Sequence, residues 1–166
     1  VEGFQFGNSP YHYMENNIID KTLVLTTTNG TKAIHLVKEN IVVTASFINI
    51  NSITEYLKQQ DKDVVILCSG WKNRFNLEDT IFAGALSNFL IDTNLFKSNC
   101  DSLLASQNLY KSGKTNLFEF LDTSAYRNRN NSSEVIRDTK FCLHPTFKSN
   151  IIPIFKKDRL IRLEVG

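Results

Sequence analysis

The chain's apolar residues fall into short β-branched runs, each followed by a polar turn and then a stretch with helical spacing. Lys21 to Leu25 is the first run; Thr26-Thr27-Thr28-Asn29-Gly30-Thr31 turns the chain, and Lys32 to Lys38 continues as a predicted helix. Ile41 to Phe47 is the second, ending in Asn49 and Asn51-Ser52 before a predicted helix from Ile53 to Gln59. Asp63 to Cys68 is the third, followed by a polar loop from Ser69 to Asn76 and a long predicted helix from Leu77 to Leu90. Strands alternating with helices predict βαβ units and an α/β fold. The near-continuous apolar character of the strands predicts a mostly parallel or mixed sheet covered on both faces, a three-layer α/β/α arrangement. Ligands of such sheets sit beyond the carboxyl ends of the strands. The loops TTTNGT, SFININ and CSGWKNRFNLED should therefore converge on one edge.

The second half is less regular. Cys100 to Tyr110, Asn116 to Leu121 and Glu134 to Phe141 have helical spacing, and Ser124 to Ser133 reads as a polar, Asn/Arg-rich loop. Ile151 to Phe155 and Leu160 to Val165 predict two strands joined at Lys156-Lys157-Asp158-Arg159, a closing antiparallel hairpin.

With 166 residues and no visible linker, the chain reads as one domain, 1–166. A net charge of +2 is too small to supply the basic face that a phosphate backbone requires, which disfavours nucleic acid as a partner. The longest aliphatic run, Val64 to Leu67, is far short of the ~20 residues of a membrane span. No basic segment with an apolar core opens the chain, so neither secretion nor a membrane partner is expected. Cys68, Cys100 and Cys142 are odd in number and widely spaced, which suggests a cytoplasmic location and three buried thiols rather than disulfides or zinc ligands. Aromatic residues, at 11%, leave material for a homo-oligomer interface.

The densest polar cluster is Arg74-Phe75-Asn76-Leu77-Glu78-Asp79. Two readings of its acids stand side by side. If Asn76 caps the helix, Glu78 and Asp79 lie in the first turn, where the helix dipole favours them for stability alone. Adjacent acids beside Lys72 and Arg74 also suit Mg²⁺ facing a phosphate, since Mg²⁺ takes one or two carboxylates plus waters and substrate oxygens. Thr26 to Thr31 offers hydroxyls and backbone N–H groups at a helix start, either an anion cradle or an ordinary strand end with an Asn-Gly turn. Ser112-Gly113-Lys114-Thr115 ends like a nucleotide P-loop, but the required earlier glycine is Asn108 and the preceding segment reads as helix.

In order and spacing, GFQFGNSP, LVLTTTNGT, VTASFIN and CSGWKNRFNLEDTIFAGAL resemble the 2-phosphosulfolactate phosphatase (ComB) family, from Glu2 to about Leu90 and more loosely to the terminal hairpin. The resemblance implies an α/β, Mg²⁺-dependent phosphatase that hydrolyses 2-phosphosulfolactate to 3-sulfolactate and phosphate, a step in one route to coenzyme M. It points to Asn8 and Ser9; to Thr27, Thr28, Asn29 and Thr31; to Ser46 and Asn49; and to Ser69, Gly70, Arg74, Glu78 and Asp79, while Gly30 joins the phosphate-binding set as part of the backbone cradle. Gln5 stands where the family commonly has Asp, and Phe82 replaces a frequent Cys. The family's opening strand, with its Asp-Val-Leu-Arg-Ala-Thr-Thr-like motif, has no counterpart, so Val1 is expected to mark truncation or cleavage.

Hydrolysis of a phosphate monoester is slow enough that positioning and charge stabilisation must dominate catalysis. Glu78 and Asp79 are expected to hold Mg²⁺, with Arg74 and the N–H groups of Asn29 to Thr31 on the phosphoryl oxygens. Thr27, Thr28 and Ser69 would add hydroxyl contacts, Lys72 is the candidate for the sulfonate, and a water activated by Mg²⁺ is the simplest nucleophile. A phosphoenzyme route stays open. So do three other readings: a non-catalytic anion- or nucleotide-binding domain, an inactive fragment, and a phosphatase for a different phosphorylated hydroxy acid.

Overall fold

The computed structural model describes residues 3–15, 17–144 and 148–163. Its central element is α4 (Leu77–Ile91), which is apolar nearly all round and accordingly buried: Ile81, Ala83, Ala85, Leu86 and Leu90 are all in the core. The other helical elements are α1 (Pro10–Met14), α2 (Gly30–Val37), a 3₁₀ turn at Phe47–Asn49, α3 (Ile50–Lys58), α5 (Asp101–Gly113), α6 (Leu117–Phe120), α7 (Ala125–Arg129) and α8 (Ser133–Cys142), and α4 packs chiefly on α5 and α3. Ile50, Ile53 and Leu57 of α3 meet Ala85, Leu86 and Leu90 of α4 and Ile152 in one cluster. Phe47 and Phe82 close its upper end edge to face, with ring centroids 5.2 Å apart.

Small residues let α5 lie directly on α4. A Cβ on Gly84 would collide with the backbone carbonyl of Ser106, and Gly113 faces the Phe120 ring in the same way. Gly113 therefore serves the α5–α6 packing, consistent with setting aside the P-loop-like tail. Gly84→Val is expected to lower stability by about 1–3 kcal/mol through overpacking, a fall in Tm of roughly 2–12 °C. Thermal unfolding checks this; an unchanged Tm would mean the α4–α5 contact is looser than described.

The strands are β1 (Pro153–Lys156) and β2 (Arg159–Arg162), paired antiparallel with Ile154 opposite Ile161. Lys157 and Asp158, both at positive φ, form their two-residue turn. Thr44 N–H donates to Pro153 O (3.0 Å) and Phe155 N–H to Val42 O (2.9 Å), so the second predicted run borders β1 through an antiparallel bridge at Val43.

The chain is thus mixed helix and strand, but among the described residues the expected parallel sheet is not formed. The runs Lys21 to Leu25 and Asp63 to Cys68 enter no ladder, and Val24 and Val65 stand 78% and 87% exposed. The physical reason is that β-branched character supplies preference, whereas a strand needs a neighbour to take its N–H and C=O groups. Only the second run finds one. The predicted helices hold to within a few residues, with α3 starting earlier, at Ile50, and α5 ending later, at Gly113. The expected loop Ser124 to Ser133 instead contains α7 and the start of α8, capped by Ser124 Oγ on Arg127 N–H (3.2 Å) and Ser132 Oγ on Val135 N–H (3.3 Å). The three cysteines are free thiols at exposed positions, not buried as expected. Val1, Glu2 and Val165, which entered the expectations about the chain's ends, lie outside the described residues. No helix among the described residues is long and apolar enough to cross a membrane.

Candidate active site

Asn76 opens α4 in extended conformation, but its side chain does not cap the helix; its carbonyl accepts from Thr80 N–H (3.2 Å) and Thr80 Oγ1 (2.8 Å). The Asn76 side chain lies instead near the Glu78 carboxylate, where it favours the charged form. Asp79 reaches back to the preceding loop, where its Oδ2 accepts from Gly70 N–H (2.7 Å) and Ser69 Oγ (3.3 Å). Gly70 sits at φ +66, with the Arg74 carbonyl 2.6 Å from where a Cβ would be, so a glycine is required at this turn. Trp71 and Arg74 exchange both backbone hydrogen bonds (3.1 and 3.0 Å) around Lys72 and Asn73, a tight two-residue turn with both central residues at positive φ.

This loop docks on the Thr-rich turn. Asn29 Oδ1 accepts from Lys72 N–H (3.0 Å), and Lys32 Nζ donates to Asn73 Oδ1 (2.8 Å). Thr27 and Thr31 satisfy one another: Thr27 N–H donates to Thr31 Oγ1 (3.1 Å) and Thr31 N–H to Thr27 Oγ1 (3.0 Å). The Thr31 amide, expected to hold a phosphoryl oxygen, is therefore already spent, and Gly30 is the part of this turn that lines the cavity. Thr28 lies exposed on the same turn.

The Gly-Asn-Ser-Pro loop arrives from the other side. Ser9 is buried and donates through Oγ to Asp138 Oδ1 of α8 (2.9 Å). Ser46 and Asn49 form a brace: Asn49 Oδ1 accepts from Ser46 N–H (2.8 Å), and its Nδ2 donates to Ile151 O (3.1 Å) across to the hairpin.

A cavity of about 1140 Å³ lies between these loops, above an apolar floor that includes Val43, Ile66, Phe82 and Leu86. Of the residues singled out from sequence, Asn8, Ser9, Gly30, Ser46, Ser69, Glu78 and Asp79 line it. Thr27, Thr28, Asn29, Thr31, Gly70, Lys72 and Arg74 do not; they shape or flank the loops, with Lys72 and Arg74 on the exposed turn.

Among the lining residues that escaped the sequence reading are Tyr126 and Arg127 of α7 and Asp138 of α8. The usable signal was Ser124 followed at the third position by Arg127, a helix cap ahead of a basic pair. Arg129 lies over the Trp71 ring, 3.8 Å from its centroid, with Lys72 Nζ 4.7 Å from the same ring.

Burial pushes the Glu78 carboxyl above its ordinary range and Asp79 adds to this, while its own N–H, the Asn76 amide and the Arg129 charge pull it back down. Glu78 Oε2 is buried without a hydrogen-bond partner. Burial, then Glu78 and Asp138, push the Tyr126 phenol up, which keeps it a neutral donor. Among the described residues no group of three or more His, Cys, Asp or Glu side chains converges as a metal cage. The donor set is the two adjacent carboxylates, one with an unused buried oxygen, and this suits a hard cation that keeps most of its waters.

Residues 1–158 match the profile of the family described as 2-phosphosulpholactate phosphatase. The chain is 45% identical over 85 residues to a probable 2-phosphosulfolactate phosphatase of Thermotoga maritima, a match covering 51% of this chain and 37% of that protein. Proteins of the same name from Caldanaerobacter subterraneus (33% identity, 94% of this chain, 64% of that one) and Pseudothermotoga lettingae (34%, 97% and 68%) are matched nearly end to end on this side. The chain therefore spans between about a third and two thirds of the length of these relatives.

Proposed function

Because the chain belongs to the 2-phosphosulfolactate phosphatase family, we propose that it is a phosphoric monoester hydrolase converting 2-phosphosulfolactate to 3-sulfolactate and phosphate, with Mg²⁺ held by Glu78 and Asp79. The observation that carries this reading is the buried, unpartnered Glu78 Oε2 beside Asp79, in a cavity shared with Ser9, Gly30 and Ser69. Bound there, Mg²⁺ would neutralise charge on the phosphoryl oxygens and acidify a water.

The chain's own residues do the positioning. Asp79 fixes Ser69 and Gly70, which holds Ser69 in the cavity lining. Gly30 opens α2, whose N-terminal dipole favours the phosphate dianion there. Asn29 and Asn73 lock that turn to the Trp71–Arg74 turn, so the two sides of the cradle are set before substrate arrives. Tyr126 offers a neutral hydroxyl. Lys72 and Arg74, on the exposed turn, attract the anion toward the opening. The same proposal includes a cytoplasmic setting and a three-layer α/β/α arrangement in which Lys21 to Leu25 and Asp63 to Cys68 are paired strands. The continuous apolar, β-branched make-up of those two runs supports that pairing, since such runs are stable strands only when covered.

Purified protein is expected to release phosphate from 2-phosphosulfolactate in the presence of Mg²⁺ and to lose that activity in chelator. Undiminished release in chelator would remove the metal assignment. Binding of phosphate with no turnover under any condition would favour the non-catalytic anion binder.

A further inference from the structure

Resting on the phosphatase reading, and deepening it, the geometry points to Arg127 as the residue that binds the second anionic group of the substrate, its sulfonate, through Nη1. Arg127 is 8% exposed and lines the same cavity as Glu78 and Ser9. Nη2 donates to Asp122 Oδ1 (3.1 Å), and the Phe118 ring covers the guanidinium at 4.3 Å. The backbone N–H of Arg127 is fixed by the Ser124 cap at 3.2 Å. The side chain is thus held at its stem and on one edge, while Nη1 is buried with no partner.

A buried donor without an acceptor is rare enough in folded proteins to require an explanation. Asp122 does not provide it, because it reaches only Nη2 and its side chain is 68% exposed, so its charge is largely screened by solvent. A preorganised guanidinium edge with a free N–H is suited to an anionic oxygen. The proposed substrate carries two anions: the phosphate is drawn to the Gly30 and Glu78–Asp79 side, leaving a sulfonate oxygen to satisfy Nη1. Lys72, the candidate from sequence, is less suited because its ammonium lies over Trp71 on the exposed turn.

Calorimetric titration with 3-sulfolactate and, separately, with inorganic phosphate tests the assignment without requiring turnover. Arg127→Met is expected to weaken 3-sulfolactate by about 30-fold, the worth of one charge-assisted hydrogen bond, with phosphate affinity changed by less than about threefold. Arg127→Lys should recover only part of the loss, because it restores charge but not the fork. A folded Arg127→Met protein that binds 3-sulfolactate normally, or loses both ligands equally, overturns the proposal. If circular dichroism shows that Arg127→Met does not fold, Asp122→Ala decides: losing the acceptor that holds Nη2 should loosen the guanidinium edge, weaken 3-sulfolactate binding and leave phosphate unchanged, and unchanged or tighter 3-sulfolactate binding overturns the proposal. Wild-type protein that binds both ligands but does not hydrolyse 2-phosphosulfolactate would remove the phosphatase reading and leave Arg127 standing. Hydrolysis that continues with sulfolactate affinity indifferent to Arg127 would do the reverse.

Discussion

Glu78→Gln is expected to lower kcat by about 10³-fold or more, the scale of losing a preorganised charge partner at a phosphoryl centre, and at the same time to raise Tm at pH 7 in chelator. The two signs together identify a functional carboxylate. Burial raises the folded-state pKa of Glu78 above its unfolded value, so the native state favours the protonated form. Any stabilisation from that preference is present below the ordinary glutamate pKa of ~4.3 and lost as pH rises through the folded pKa. Wherever Glu78 is ionised, the folded wild-type protein carries a part-buried charge that glutamine lacks. Glutamine is isosteric with glutamate and removes only the charge. The Tm difference between variant and wild type should be positive at pH 7 and shrink toward zero as the pH falls below about 4. Adding Mg²⁺ should raise the wild-type Tm alone, because only that protein would bind the ion through this site. A purely helix-capping glutamate makes the opposite forecast: normal kinetics, and a lower Tm in the variant because a favourable dipole interaction has been removed.

How far such a site can be read from sequence depends on where each residue finds its partners. Helix α4 was legible almost to its ends because Leu77 to Ile91 is apolar on all sides and Asn76 marks its start. The hairpin was legible from two apolar runs around Lys157-Asp158. Lys21 to Leu25 and Asp63 to Cys68 have the same composition as strands, but pairing is a long-range property that local residue types do not encode. The acids were legible as a pair and not as individuals: nothing in Glu78-Asp79 says that one carboxylate ties down Gly70 while the other keeps an unused oxygen. The Thr27–Thr31 exchange shows the same limit, since hydroxyls and amides that look available in a sequence satisfy each other at 3.0 and 3.1 Å. Helix α7 was invisible to periodicity because its five residues, Ala-Tyr-Arg-Asn-Arg, carry no apolar stripe. Missing it meant missing Tyr126 and Arg127, whose place at the cavity comes from Ser124 capping and the Asp122 contact.

Asp79→Ala should fail in both respects, fold and chemistry, and so differ from its neighbour. Its carboxylate holds Gly70 N–H at 2.7 Å and Ser69 Oγ at 3.3 Å, and those bonds fix a turn in which Gly70 is already at positive φ against the Arg74 carbonyl. Removing a charged acceptor from a part-buried N–H costs about 1.5–3 kcal/mol, a fall in Tm of roughly 3–12 °C for a chain of this size. Turnover should drop by about 10²-fold or more, because the second carboxylate is lost and Ser69 is released from the cradle wall. Asp79→Asn separates the two roles. Its amide oxygen can still accept from Gly70 N–H, so most of the stability should return, but it has no charge to hold a cation and the activity should not. Thermal unfolding and single-substrate kinetics on the two variants read this directly. Full turnover in Asp79→Asn would reduce Asp79 to a loop anchor and leave Glu78 as the sole carboxylate at the metal. An unchanged Tm in Asp79→Ala would show that the Gly70 turn stands without it, since the paired Trp71 and Arg74 backbone bonds would then be sufficient to hold the loop.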